Sequence, residues 1–327
     1  MSRPAGAIVE LAGGVGGARL AHGLQATLGP ALTVVVNTAD DVERHGLLVC
    51  PDHDTVLYTL AGIEGPFGWG IDGDTSAAMT QLGVYGEPTW FGLGDRDLAA
   101  HIVRSAHLRA GDRLTDVNRG LQRSLGLAAT ILAMTDDPVR TEVRTSDGWL
   151  EFQEYFVHRR QEPEVLDVRF AGIEAARPTA EVLAAIERAA TIVIAPSNPI
   201  VSVGPILAVP GLRAAILRAQ ADGTPVVAIS GIVGGRALKG PADRMLASLG
   251  HESSALGVAR LYAGLATGFV LDPVDAGLVP AIEALGLRTL VTDTLMVDDA
   301  SRARVGSEVL DFAGSLAPVE AHDGLGR

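Results

Sequence analysis

A chain of 327 residues that is 47% hydrophobic can bury one large α/β domain with an insertion, or two modest domains. A formal charge of −13 without a basic block argues against nucleic acid as the main partner, since phosphate-backbone binding needs a concentrated cationic surface. One cysteine, Cys50, excludes an internal disulfide and every multi-cysteine zinc or iron–sulfur pattern, in keeping with a reducing cytosol.

In chain order, Ala7 to Leu11 reads as a first strand, too short and too soon interrupted by Glu10 and glycines to be a secretory signal. The turn Gly13-Gly14-Val15-Gly16-Gly17 follows, then helix-like Ala18 to Leu28. Glycines there let backbone N–H groups converge on an anion at a helix N-terminus, although a tight strand-to-helix connection explains them equally well. Arg19 stands where the dinucleotide fingerprint needs a third small residue, and Asn37 rather than an acid ends the next strand, Leu32 to Asn37, so an NAD site is disfavoured. No Gly-Lys-Ser/Thr ending is present, which removes the P-loop reading.

Asp40-Asp41 follows that strand, and Pro51-Asp52-His53-Asp54-Thr55 opens helix-like Thr55 to Ala61. Clustered hard oxygens suit a magnesium-like cation bridging protein and phosphate; the plainer alternative is helix caps and solvated turn residues. Leu93-Gly94-Asp95-Arg96-Asp97, followed by His101 and Arg104, offers Arg96 as a bidentate anion contact, against the alternative of a capped helix with solvent-facing charges. Thr115 to Leu125 looks helical. Val139 to Thr145 and Trp149 to Val157 look like a hairpin turning at Ser146-Asp147-Gly148.

Strand and helix alternation then returns: helix Ala180 to Ala190, strand Thr191 to Ala195, helix Gly211 to Ala221 and strand Pro225 to Ser230. Ser197-Asn198-Pro199 supplies amide and hydroxyl groups suited to reading a ring, or makes a proline-stiffened turn. Prolines through 191–211 make it a poor membrane span. Lys239, the sole lysine, reads as compositional bias toward Arg. A strand near Gly268 to Leu271, a helix near Val279 to Leu285, a strand at Thr289 to Val291 and a helix from Ala300 to Phe312 close the chain. The expected fold is α/β: a Rossmann-like, doubly wound, mostly parallel sheet in three αβα layers. The chain is read as a single domain, with core 1–104 and 179–327 and an inserted α+β subdomain at 105–178.

In order, the motifs Gly13 to Arg19, Val36-Asn37-Thr38-Ala39-Asp40-Asp41, Pro51 to Thr55, Trp69-Gly70, Trp90 to Leu98, Thr135 to Pro138, Ala195 to Ile206 and Asp293 to Met296 span nearly the whole chain. This set closely resembles the 2-phospho-L-lactate transferase family of coenzyme F420 biosynthesis, called CofD in archaea and FbiA in actinobacteria. The resemblance implies a cytoplasmic enzyme, expected as a homodimer. It would move a phosphorylated three-carbon acid from a guanosine diphosphate conjugate to the ribityl hydroxyl of the deazaflavin Fo, releasing GMP. It places Mg2+ at Asp41 and Asp54, with Asp52 as a third ligand, an Fo contact or the base. Gly13, Gly14, Gly16 and Gly17 would cradle phosphate, with Asn37 and Thr38 at the substrate site. Asp95 and Arg96 would line the transfer site, and Ser197 and Asn198 would meet Fo or guanosine. Many archaeal members carry leucine where His53 lies and a basic residue where Gly92 lies. Trp90 to Gly94 is more similar to the mycobacterial branch, whose donor acid is phosphoenolpyruvate. The competing expectation is a non-catalytic nucleotide-sugar-binding protein of the gluconeogenesis-factor type, because a fold does not settle function. Trp69 and Trp90 are read as core or interface residues before ring-stacking ones.

Overall fold

The computed structural model describes residues 6–317. Runs such as Ile8-Val9 and Leu32-Thr33-Val34-Val35-Val36 are apolar almost without alternation, the pattern of parallel strands covered on both faces. They become β1 (Ala7–Ala12) and β2 (Leu32–Val36), joined by β3 (Thr130–Ala133), β4 (Ala189–Ile194), β5 (Val226–Ile229), β6 (Gly268–Leu271) and β7 (Arg288–Val291). All pair in parallel in one 7-stranded sheet of order β7-β6-β5-β4-β1-β2-β3. Leu11 sits opposite Val35 on one side and Ile194 on the other, which sets the register at the centre.

Side chains alternate across the sheet and feed two cores. Val9, Leu11, Ile192 and Ile194 pack with Leu212, Ile216 and Phe269 on one face. Ile8, Val34, Val36 and Val193 pack on the other under α1 (Gly14–Leu28) and the closing helix Asp299–Leu316. The expected three-layer, doubly wound α/β architecture is what forms.

The sheet is elaborated in two places. Between β2 and β3 lie a hairpin (Val42–Arg44 with Leu47–Val49), α2 (Pro51–Leu60), α3 (Ala77–Val84), α4 (Asp95–Arg109) and α5 (Leu114–Ser124). Between β3 and β4 a 3-stranded antiparallel sheet forms from Arg140–Thr145, Gly148–Glu151 and Asp167–Ala171. Strand β3 falls inside the stretch 105–178, so the additions come as two pieces flanking a sheet edge rather than as one block. The expected hairpin turns at Ser146-Asp147 as read, but its second arm ends at Glu151. Beyond it the chain turns helical so that Phe152 and Tyr155 reach a small core with Val143 and Met245. No helix among the described residues is long and apolar enough to cross a membrane.

Glu10 breaks the apolar pattern of β1: it is fully buried, and neither carboxyl oxygen has a hydrogen-bond partner among the described residues. Burial pushes its pKa well above the ordinary 4.5, so folding takes up a proton there. Stability from this group is complete below 4.5 and is lost as pH rises through the raised value. Replacing it by Met, which fills similar space without a polar group, is expected to stabilise the fold by about 1–3 kcal/mol at neutral pH. Urea midpoints should show the gain shrinking toward about pH 4.

Candidate active site

The chain leaves β1 toward β2 on one side and β4 toward β5 on the other, so a crevice opens at the C-terminal ends of β1 and β4, the usual ligand position in open α/β sheets. A cavity of about 720 Å³ lies there. Its floor is stitched across the switch point: Ser197 Oγ donates to the Gly13 carbonyl at 2.8 Å and accepts from the Gly13 N–H at 3.1 Å. A Cβ on Gly16 would lie 2.4 Å from the Pro196 carbonyl oxygen, and one on Gly13 would lie 2.5 Å from Asp52 Oδ2. The glycines therefore let three chain segments close on one point. Gly13, Gly14 and Gly16 line the cavity; Gly17 sits behind them against Ala12 and Ser197. Gly16→Ala should cost about 1–3 kcal/mol in a urea titration, because a main-chain carbonyl cannot move aside as a flexible side chain can.

Pro51 takes the first helical position of α2, where its missing N–H costs nothing, and starts the helix early enough to place Asp52 and Asp54 in the first turn. Asp52 Oδ1 accepts from Gly14 N–H at 2.8 Å and Oδ2 from Asn37 Nδ2 at 2.9 Å. Asn37 is held in turn by donating to Val201 O at 3.2 Å and accepting from Ala39 N–H at 2.9 Å. Burial pushes Asp52 up to about 6 against the pull of those two hydrogen bonds. It also pushes Asp41 to about 7, and Asp40 is raised by burial and then by the charge of Asp52. Asp40 Oδ1, Asp41 Oδ1 and Thr38 Oγ1 are buried without partners among the described residues. Asp40, Asp52 and Asp54 line the cavity; Asn37, Thr38 and Asp41 do not.

Asp54 belongs to a network that sequence reading missed. From α4, the fully buried Arg104 donates to Asp54 Oδ2 at 3.0 Å, contacts Oδ1 as well, and donates through Nε to Asn118 of α5 at 3.1 Å. His53 Nδ1 lies 3.1 Å from Asp54 Oδ1, and His101 Nδ1 lies 3.6 Å from Oδ2. Burial would raise the Asp54 pKa, yet Arg104, His53 and His101 together hold it well below the carboxylate range. Tyr58 OH donates to Asp97 Oδ1 at 2.6 Å, and Asp97 lies 3.3 Å from His101 Nε2. Ligand atoms of Asp54, Asp97 and His101 fall within 4.8 Å of one another, a group that could hold a metal ion. The available signal was the spacing of Asp97, His101 and Arg104, one helix face that turns inward rather than to solvent.

Asp95 and Arg96 do not line the cavity. The Asp95 carboxylate caps α3, accepting from Thr75 Oγ1 at 2.5 Å, Ala77 N–H at 2.9 Å and Ala78 N–H at 2.8 Å. Arg96 is exposed and donates to the Asp72 carbonyl at 3.0 Å. Ser197 and Asn198 both line the cavity, and Asn198 Oδ1 is spent on the Ile200 N–H at 2.9 Å. Tyr58, Phe67, Trp69, Phe91, Phe152 and Phe156 complete the wall, in a chain with only 7 Phe, 3 Trp and 4 Tyr. Trp90 is used internally, stacked on His158 at 4.8 Å with the Arg44 guanidinium 4.8 Å from its ring; Trp69 is 56% exposed and faces the cavity.

A Rossmann-like sheet whose switch point joins a glycine-built helix N-terminus to buried carboxylates and an aromatic wall has the build of a small-molecule site. The family described as 2-phospho-L-lactate transferase CofD matches residues 8–300, and the chain belongs to that family of transferases. It is 46% identical to the "Phosphoenolpyruvate transferase" of Streptomyces griseus, over 94% of this chain and 98% of the relative. It is 40% identical to the "2-phospho-L-lactate transferase" of Methanosarcina mazei, over 88% of this chain and 94% of the relative. A crystal structure of a UPF0052 family protein from Bacillus halodurans superposes with a TM-score of 0.63, covering 95% of this chain and 99% of that one. At 17% identity that likeness shows the fold alone.

Proposed function

We propose that the chain transfers a phosphoenolpyruvyl group from a guanosine diphosphate conjugate to the ribityl hydroxyl of the deazaflavin Fo, releasing GMP and forming dehydro-coenzyme F420-0. The observation that carries this reading is the single cavity wall that combines aromatic rings able to stack on a flat ring system with a glycine-built helix N-terminus and buried carboxylates. The printed names of the actinobacterial relatives support phosphoenolpyruvate as the donor acid; a phospholactyl donor differs by a few atoms.

In the proposed reaction the Fo hydroxyl oxygen bonds to the phosphorus bearing the three-carbon acid, and the bond from that phosphorus to the bridging oxygen breaks, so GMP leaves with the oxygen. With the Gly14 N–H taken by Asp52, the N–H groups of Val15 and Gly16 in the first turn of α1 would face the phosphates. Asp52, fixed by Gly14 and Asn37, receives the hydroxyl proton. Little more is asked of a base in a largely dissociative transfer, where positioning does most of the work. Asp41 and Asp54 would hold magnesium: Asp41 Oδ1 is buried without a partner among the described residues, and Asp54 belongs with Asp97 and His101 to a group that could hold a metal ion, although its oxygens also answer Arg104. Magnesium, when bound, would offset charge on the phosphoryl oxygens. Asp95 and Arg96 enter this reading as supports of α3 and α4. In the same proposal the enzyme works in the cytoplasm as a homodimer, a mass that light scattering reads directly.

The test is incubation with Fo, magnesium and each guanosine conjugate of phosphoenolpyruvate, phospholactate and phosphoglycerate, with and without EDTA, followed by mass spectrometry. EDTA-sensitive gain of a phosphoenolpyruvyl group on Fo is expected. Gain of another acid would correct the donor, and no transfer from any conjugate would sink the reading.

A further inference from the structure

We propose that Lys239 is a substrate-binding residue, supplying the cation that meets the diphosphate of the donor at the N-terminal turn of α1. This rests on the transferase reading above and adds a residue to it. The cavity is lined by Asp40, Asp52, Asp54 and Asp97, and the only lining side chain with a permanent positive charge among the described residues is Lys239. A diphosphate entering beside those acids needs a counter-charge on the protein side. The helix N-terminus provides only about half a unit.

The position of the ammonium fits that task. Lys239 follows the small hairpin Ile232–Val233 with Arg236–Ala237, and its Nζ donates to the Phe67 carbonyl at 2.5 Å across 172 residues of chain. A Cβ built on the adjoining Gly68 would lie 3.5 Å from that Nζ and 2.7 Å from Val15 Cγ1, so the ammonium stands beside the first turn of α1. An ammonium has three donors, and one neutral carbonyl uses one of them. Desolvation and the nearby Arg19 lower the Lys239 pKa. The lysine stem is flexible enough to trade a carbonyl for a phosphate oxygen without moving the main chain. Phe67 is 66% exposed and stacks on Trp69 at 6.0 Å, so the same contact ties the aromatic rim to the phosphate end of the cavity.

The test is titration calorimetry of the parent, Lys239→Met and Lys239→Arg with GDP and with uncharged guanosine, all with magnesium. Lys239→Met is expected to weaken GDP by about 10–100-fold, the range of one charge-assisted hydrogen bond, while guanosine binds as in the parent and Lys239→Arg recovers most of the loss. Equal GDP affinity in parent and Lys239→Met would overturn the assignment alone. So would parallel loss of GDP and guanosine, the mark of a structural role. A parent that binds no GDP would overturn the transferase reading together with it.

Discussion

Arg104→Met is expected to lower folding stability by about 3–5 kcal/mol, the largest effect of any single substitution considered. The guanidinium is fully buried and reaches both oxygens of Asp54 together with Asn118 Oδ1. Methionine fills much of the same volume, so the loss is one of charge and donors rather than of packing. Asp54 would then remain buried with only histidines to answer its charge. Because Asp54 has a folded pKa held below its ordinary 3.8, its contribution is present above that value and is lost as pH falls through the depressed one. The deficit of Arg104→Met relative to the parent should therefore be greatest near neutral pH and shrink in acid below about pH 4. Urea midpoints at several pH values measure this; a deficit independent of pH would mean that packing, not the ion pair, had been lost. Arg104→Lys should fall between, since one ammonium cannot span both carboxylate oxygens and Asn118.

Asp52→Asn is expected to slow transfer by about 10²–10⁴-fold, the usual range for removing a proton acceptor. The change is close in shape but not in hydrogen bonding. Asp52 receives Gly14 N–H on one oxygen and Asn37 Nδ2 on the other, whereas an asparagine offers one acceptor oxygen and turns its amide nitrogen toward the second donor. One buried donor is then left unsatisfied, at a cost of about 1–3 kcal/mol. Single-turnover transfer and urea unfolding separate the two consequences. Transfer within a few-fold of the parent, in a variant that is measurably less stable, would leave Asp52 a purely structural role.

Much of this molecule was legible from local pattern. Gly268–Leu271 is a strand as read, and α1, α5 and the closing helix lie within a few residues of their expected bounds. The boundary of α2 was the informative exception. Local pattern places its start at Thr55, but Pro51 opens it, which puts Asp52 and Asp54 in a helical turn with different partners. Asp52 then meets the glycine turn, while Asp54 meets α4. Local pattern does not tell which face of α4 is inward, so it separates neither the buried Arg104 from a solvent charge nor the α3-capping Asp95 from a site residue. Strand β3 lies within 105–178, where a four-residue edge strand leaves little pattern to see.

By itself the sequence determined the alternation of strands and helices, the glycine turn at the end of β1 and the family. Those properties depend on residues within a few positions of one another, or on motif order along the chain. Only the tertiary structure decided that Arg104 is the partner of Asp54, that Asp95 caps α3, and that Lys239 stands beside Phe67 in the cavity wall. Those pairings join residues 50, 18 and 172 positions apart. They are settled by how the packed elements meet, for which neither hydrophobic period nor turn chemistry carries a local signal.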